Sequence, residues 1–119
     1  MRGTATRLNE SGSLVVGMGS KKQTIAPSEI MYLAGDSNYS RLVRRGRPPV
    51  IVSITISRYE TILPNFIRIH KQYIVNPAFV TRLIRDGPIQ EGVMIQLQNG
   101  KRLPVSRRRL NQVMKHLTT

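Results

Sequence analysis

The sequence contains no cysteine and no tryptophan. Without thiols there is no disulfide framework, no thiolate nucleophile and no cysteine-based zinc site. Acidic residues are scarce: six Asp and Glu stand against nineteen Lys and Arg, a formal net charge of +13 over 119 residues. The six acids are scattered and offer no paired-carboxylate site. The two histidines, His70 and His116, have no carboxylate or second histidine at metal-ligand spacing. Gly12 and Gly17 have the glycine spacing of a phosphate-binding loop, but Met18 stands where its lysine is required. Long apolar runs are missing too. Met1 to Gly12 is polar, the next apolar patch is only Leu14-Val15-Val16, and nothing approaches the ~18–20 apolar residues of a membrane span. These absences argue against an exported, membrane-bound, metal-dependent or enzymatic chain. They favour a cytoplasmic one that uses no cofactor.

What is present is a single domain's worth of residues, 39% of them hydrophobic, enough to fold around one core. The charge excess calls for a polyanionic partner. Short apolar runs separated by turn residues predict a β-rich fold. The first dozen residues read as loose. Strands are expected at 14–17, 23–26, 30–33, 39–45, 50–54, 66–70, 73–75, 80–85 and 93–98, with a short helix over 56–63 capped by Thr55. Asn99-Gly100 predicts a type I′ hairpin leading to a strand at Leu103 and Val105. Ser106 is placed to cap a final helix, in which Leu110, Val113, Met114 and Leu117 form one apolar stripe.

The basic residues fall into three groups near expected loops: Arg41, Arg44, Arg45 and Arg47; Arg68 and Lys71; and Lys101, Arg102, Arg107, Arg108 and Arg109. Any one group alone is as well read as a solvated face. The last group is harder to explain that way. Arginines in the first turn of a helix oppose its dipole, and a sequence that breaks such a rule is usually serving a site. An anion would reconcile them: a duplex phosphate, or the O6/N7 edge of guanine.

Single-strand binders stack bases on exposed aromatics. Here there are four Tyr and two Phe, and all but Tyr39 sit in or beside apolar runs where core packing is the simpler role. Double-stranded DNA is therefore the favoured partner. A membrane surface is disfavoured because the last helix carries its charge at one end and not along a face.

From about Pro27 to Leu117 the chain resembles the LytTR DNA-binding domain, an output domain of bacterial response regulators. Phe66-Ile67-Arg68-Ile69-His70-Lys71-Gln72-Tyr73-Ile74-Val75-Asn76 is similar to the family's Phe-x-Arg-(Ile/Cys)-His-(Arg/Lys/Asn)-Ser-(Tyr/Phe)-(Ile/Leu/Val)-Val-Asn signature. Glu29-Ile30-Met31-Tyr32-Leu33 followed by Asn38-Tyr39 resembles its early segment. Asn99-Gly100 and Leu103-Pro104-Val105-Ser106-Arg107-Arg108 resemble its closing one. The chain departs from the pattern at Ala34, where many members have Glu, and at Gln72, where Ser is usual.

The resemblance implies a mainly β fold: an elongated body of small antiparallel sheets with short helical segments and a C-terminal helix. It implies a transcription regulator whose loops enter successive major grooves of double-stranded DNA, commonly at direct repeats, with a homodimer on DNA as one arrangement. It carries three contact positions over: Ser40 flanked by Asn38 and Arg41, then Lys71, then Arg107. Together with the charge groups, the expected DNA-binding set is Asn38, Ser40, Arg41, Arg44, Arg68, Lys71, Arg102, Arg107 and Arg108. The expected organisation is an N-terminal extension over 1–26 with a β-hairpin, then a binding domain over 27–117. Most members carry a receiver domain of ~120 residues, which the residues before the match cannot hold. A free-standing binding domain, favoured by Met1, or a piece of a longer regulator is expected. The rival readings are a structural RNA-binding protein and a related interaction module without DNA affinity.

Overall fold

The structure, a computed structural model, describes residues 5–17, 19–85 and 92–118. Its described strands form three antiparallel sheets. β1 (Ala5–Leu8), β2 (Leu14–Gly17) and β3 (Gln23–Ile25) make the first, in the order β1-β2-β3. The central sheet has five strands: β4 (Ile30–Asp36), β5 (Tyr39–Arg44), β6 (Arg47–Val52), β7 (Ile67–His70) and β8 (Tyr73–Val75), in the order β6-β5-β4-β8-β7. β9 (Val80–Arg85), β10 (Val93–Leu97) and β11 (Arg102–Val105) make the third. A short helix, α1 (Ile56–Ile62), links β6 to β7, and α2 (Leu110–Thr118) closes the chain. The body is elongated, 50 × 26 × 23 Å. The Asp86-Gly87-Pro88 turn expected between β9 and β10 lies outside the described residues.

The inner strands β4 and β8 of the central sheet are covered on both faces, which explains their near-continuous apolar runs. One face, with Leu33, Leu42 and Ile74, packs with Leu14, Val16 and Ile25 of the first sheet and with Ile56 and Tyr59 of α1. The other, with Tyr32 and Val75, packs on Ile95, Leu97 and Leu103 of the third sheet and on Val113 of α2. Ile95 and Leu103 are direct cross-strand partners and both fully buried, each contributing about 1.5–3 kcal/mol of transfer free energy. The apolar stripe of α2 does pack on the sheet: Val113 is buried, with Leu110 and Leu117 against the same core. Gly35 lets β4 approach α1, since a Cβ there would stand 2.8 Å from Ile56 Cγ2.

Several local expectations need correction. Residues 5–8 are not loose: they pair with β2, Leu8 opposite Leu14. The segment before residue 27 contributes fully buried Leu14 and Ile25 to a core shared with the central sheet. The Asn99-Gly100 turn is not type I′, because only Gly100 has positive φ (+88°). Gly100 N–H donates to Leu97 O at 2.9 Å and Leu97 N–H to Lys101 O at 2.8 Å, a longer loop with glycine in the left-handed position. The β5–β6 turn is Arg45-Gly46, and Pro48 and Pro49 lie within β6. They are tolerated because β6 is an edge strand.

Candidate nucleic-acid interface

Antiparallel pairing sorts the loops onto two opposite rims. β4 and β5 turn at Ser37-Asn38, with Asp36 opposite Tyr39. β8 runs antiparallel to β4, so the β7–β8 turn at Lys71-Gln72 lies on the same rim, tied by Gly35 N–H donating to Gln72 O at 2.8 Å. The third segment joins them where Ser106 N–H donates to Ile69 O at 2.9 Å, bringing the 107–109 turn beside the end of β7. This is the upper rim. The Arg45-Gly46 turn, Asn76–Phe79 and the Gln98–Lys101 loop form the lower one, joined by Gln98 N–H to Phe79 O at 2.9 Å.

The basic groups of the sequence are therefore cut apart. Arg41 sits near the upper rim, while Arg44, Arg45 and Arg47 lie at the lower turn. Arg107, Arg108 and Arg109 are upper, while Lys101 and Arg102 stand at the other end of β11. Of the expected set, the structure brings together Asn38, Arg41, Lys71, Arg107 and Arg108. It sends Arg44 and Arg102 away.

Ser40 was expected to reach DNA, and its surroundings argue otherwise. It is 1% exposed, and its hydroxyl donates to Ile54 O at 2.7 Å. The strand period of two turns Ser40 and Leu42 inward and presents Tyr39 and Arg41 outward. Arg68 was expected as a phosphate contact. Its side chain is only 11% exposed, and its guanidinium donates to Glu60 of α1 and to the carbonyls of His70 and Lys71. It builds the turn that displays Lys71. Arg44 donates through Nη2 to Pro48 O at 2.9 Å, within its own hairpin.

The last helix also differs from expectation. Residues 107–109 form a 3-10 turn, and α2 proper begins at Leu110. Ser106 occupies the cap position without a side-chain cap bond, as does Thr55 before α1. Arg109 N–H already donates to Ser106 O and Leu110 N–H to Arg107 O. Two amides of this first turn are thus engaged within the chain, and any anion there meets chiefly guanidinium groups.

His70 sits in this positive field with its ring 5.6 Å from that of Tyr73. Its Nδ1 accepts from Gln72 N–H at 3.1 Å. Burial, then the charges of Lys71, Arg109 and Arg68, hold its pKa below the ordinary value of 6.5. The neutral ring is therefore the form that shapes the turn. Two participants are not legible in the linear sequence. Glu60, the partner of Arg68, carries no local signal because the pair is made across two elements. Ile51 reads as core within an apolar run, yet edge-strand alternation exposes it. Among the described residues no cluster of His, Asp or Glu is suited to a metal ion, and no helix is long and apolar enough to cross a membrane.

An elongated antiparallel body that gathers exposed cations from three distant segments onto one rim defines a nucleic-acid-binding module. The chain belongs to the LytTR family of DNA-binding domains, whose family model matches residues 20–118. The fold is likewise similar to that of a solved LytTr DNA-binding domain from Bacillus cereus, with 21% identity, complete coverage of both chains and a TM-score of 0.72. Comparison with curated proteins finds no match.

Proposed function

We propose that this DNA-binding domain is a cytoplasmic, sequence-specific reader of duplex DNA that regulates transcription through its upper rim. The observation that carries the reading is the convergence of the Ser37-Asn38 turn, the Lys71-Gln72 turn and the 107–109 turn on one side of the molecule. Lys71 and Arg107 reach base edges, while Asn38, Arg41 and Arg108 hold the backbone and fix the register. Ser40 and Arg68 support the rim from within. The molecule's longest dimension, 50 Å, exceeds one duplex turn of ~34 Å, which supports contact with successive grooves. Direct repeats occupied by two protomers follow if each reads one repeat.

Selection of bound sequences from a random duplex pool tests this, with structured RNA and single strands as competitors at moderate salt. An enriched motif, repeated at helical spacing, is expected. Tighter binding to RNA than to every DNA pool would sink the proposal. So would affinity confined to the salt-sensitive, sequence-independent range of ~10⁻⁴–10⁻⁶ M.

A further inference from the structure

Among the described residues three large hydrophobic side chains are exposed, and two of them share one groove. Tyr39 is 53% exposed and Ile51 59%, and both line a groove of about 570 Å³ on the central sheet. Register builds it. Tyr73 opposes Ala34, Ala34 opposes Arg41, and Arg41 opposes Ile51, so these four form one row across the sheet, with Tyr39 next to it toward the upper rim. Val43, on the same face as Arg41, is covered by the third sheet's core. Beyond it, toward Tyr39 and Ile51, no described residue covers the face.

The groove is continuous with the upper rim, since Gln72 of the Lys71 turn is part of its wall. Its chemistry differs from the rim's. It combines an apolar floor, a single guanidinium from Arg41 and the carboxylate of Asp36. A phosphate would meet that carboxylate and gain nothing from the apolar side chains. A base edge suits the site better: the thymine 5-methyl is the apolar feature of the major groove, and it seeks contacts of this kind.

We infer that Tyr39 and Ile51 are specificity-determining residues that take up a thymine methyl group while the rim cations hold the flanking backbone. The inference rests on the duplex-reading function proposed above and adds which base is read and by what.

The test uses the full chain and the duplex it selects from a random pool. Thymine is replaced by deoxyuridine one position at a time, which removes the methyl and keeps the base pair. At one or more positions, binding weakens about four-fold, the value of one buried methyl. Ile51→Ser and Tyr39→Ala weaken binding to the thymine duplex and erase that difference, with the salt slope unchanged because no charge is lost. Both side chains lie at the surface, and a thermal melt verifies that the variants fold. If no deoxyuridine substitution matters while Arg107→Ala still loses discrimination, the groove assignment is overturned and duplex reading stands. If the pool enriches nothing, both fall. If Ile51→Ser alters sedimentation of the free chain and leaves deoxyuridine discrimination intact, the groove serves a second copy of the chain and the inference is wrong.

Discussion

The two rims carry similar numbers of cations and use them differently. On the lower rim, Arg44 spends its guanidinium on the Pro48 carbonyl, and Arg45 lies 5.6 Å over the Phe79 ring. Arg44 closes its own hairpin, and Arg45 packs that hairpin on the turn before β9. On the upper rim, Lys71, Arg41 and Arg108 are exposed, and Arg68, turned inward, holds Lys71's own turn. Charge density does not distinguish a binding surface from a structural one. A sharper criterion is whether a given donor is already consumed by the fold: the Arg44 guanidinium on the lower rim is engaged on a carbonyl, whereas exposed Lys71, Arg41 and Arg108 stand at the rim proposed to read DNA.

The largest expected effect tests the support of the upper rim. Arg68→Met removes a largely buried guanidinium that serves one carboxylate and two carbonyls. Hydrogen bonds to charged groups contribute about 1.5–3 kcal/mol, so a stability loss of about 2–3 kcal/mol is expected in urea melts at constant m value. Arg68→Lys recovers less than half, because a point charge cannot span the three acceptors. A loss below about 0.5 kcal/mol would mean that the turn holds itself. Next comes Arg107→Ala, which stands at the rim's third segment. It should cost about 1–3 kcal/mol on the selected site and less on random duplex, measured by titration at fixed salt. Equal losses on both would remove base reading from that residue.

Much of this contrast was hidden in the linear sequence, while the scaffold was not. The strands 14–17, 73–75 and 80–85 have the bounds that apolar patterning predicts, and α2 packs Leu110, Val113 and Leu117 of its expected stripe, with Met114 outside that core. Local chemistry decides those elements. The partition of charge was not legible, because Arg41 and Arg44 are near neighbours in sequence and β5 carries them toward opposite rims. The same is true of Lys101 and Arg107 on either side of β11. The burial of Ser40 was illegible for a related reason: a motif position fixes a residue's place along a strand, and the pleat decides which way it faces. β1 was missed because its polar sequence becomes a strand only through pairing with β2.

Acid should act on one rim alone. Because the folded pKa of His70 lies below 6.5, the unfolded chain takes up a proton first as pH falls. This group's share of stability is therefore complete above about 6.5 and is lost as pH drops from there through the lowered folded value. Protonation also removes the Nδ1 acceptor for Gln72 N–H. The protection factors of the Lys71-Gln72 turn, corrected for the intrinsic pH dependence of exchange, should fall between pH 7 and pH 5, and those of the Gln98–Lys101 loop should not change. His70→Asn should flatten the upper-rim response. An equal loss of protection in both loops would point to global loosening and erase the contrast.

The smallest effect is the most demanding of the comparison. Arg44 lies on the lower rim with its guanidinium on a carbonyl of its own hairpin. Arg44→Ala should change DNA affinity by less than about 0.5 kcal/mol and leave the slope of log K against log salt unaltered. Arg108→Ala, removing an exposed upper-rim cation of the same type, should weaken cognate and random duplexes alike and reduce that slope by about 1. Measuring both variants across a salt series separates position from charge, since each loses one arginine and the net charge falls equally. A slope reduced by the same amount in both would mean that the duplex reaches the lower rim as well. The division into a structural rim and a reading rim would then have to be given up.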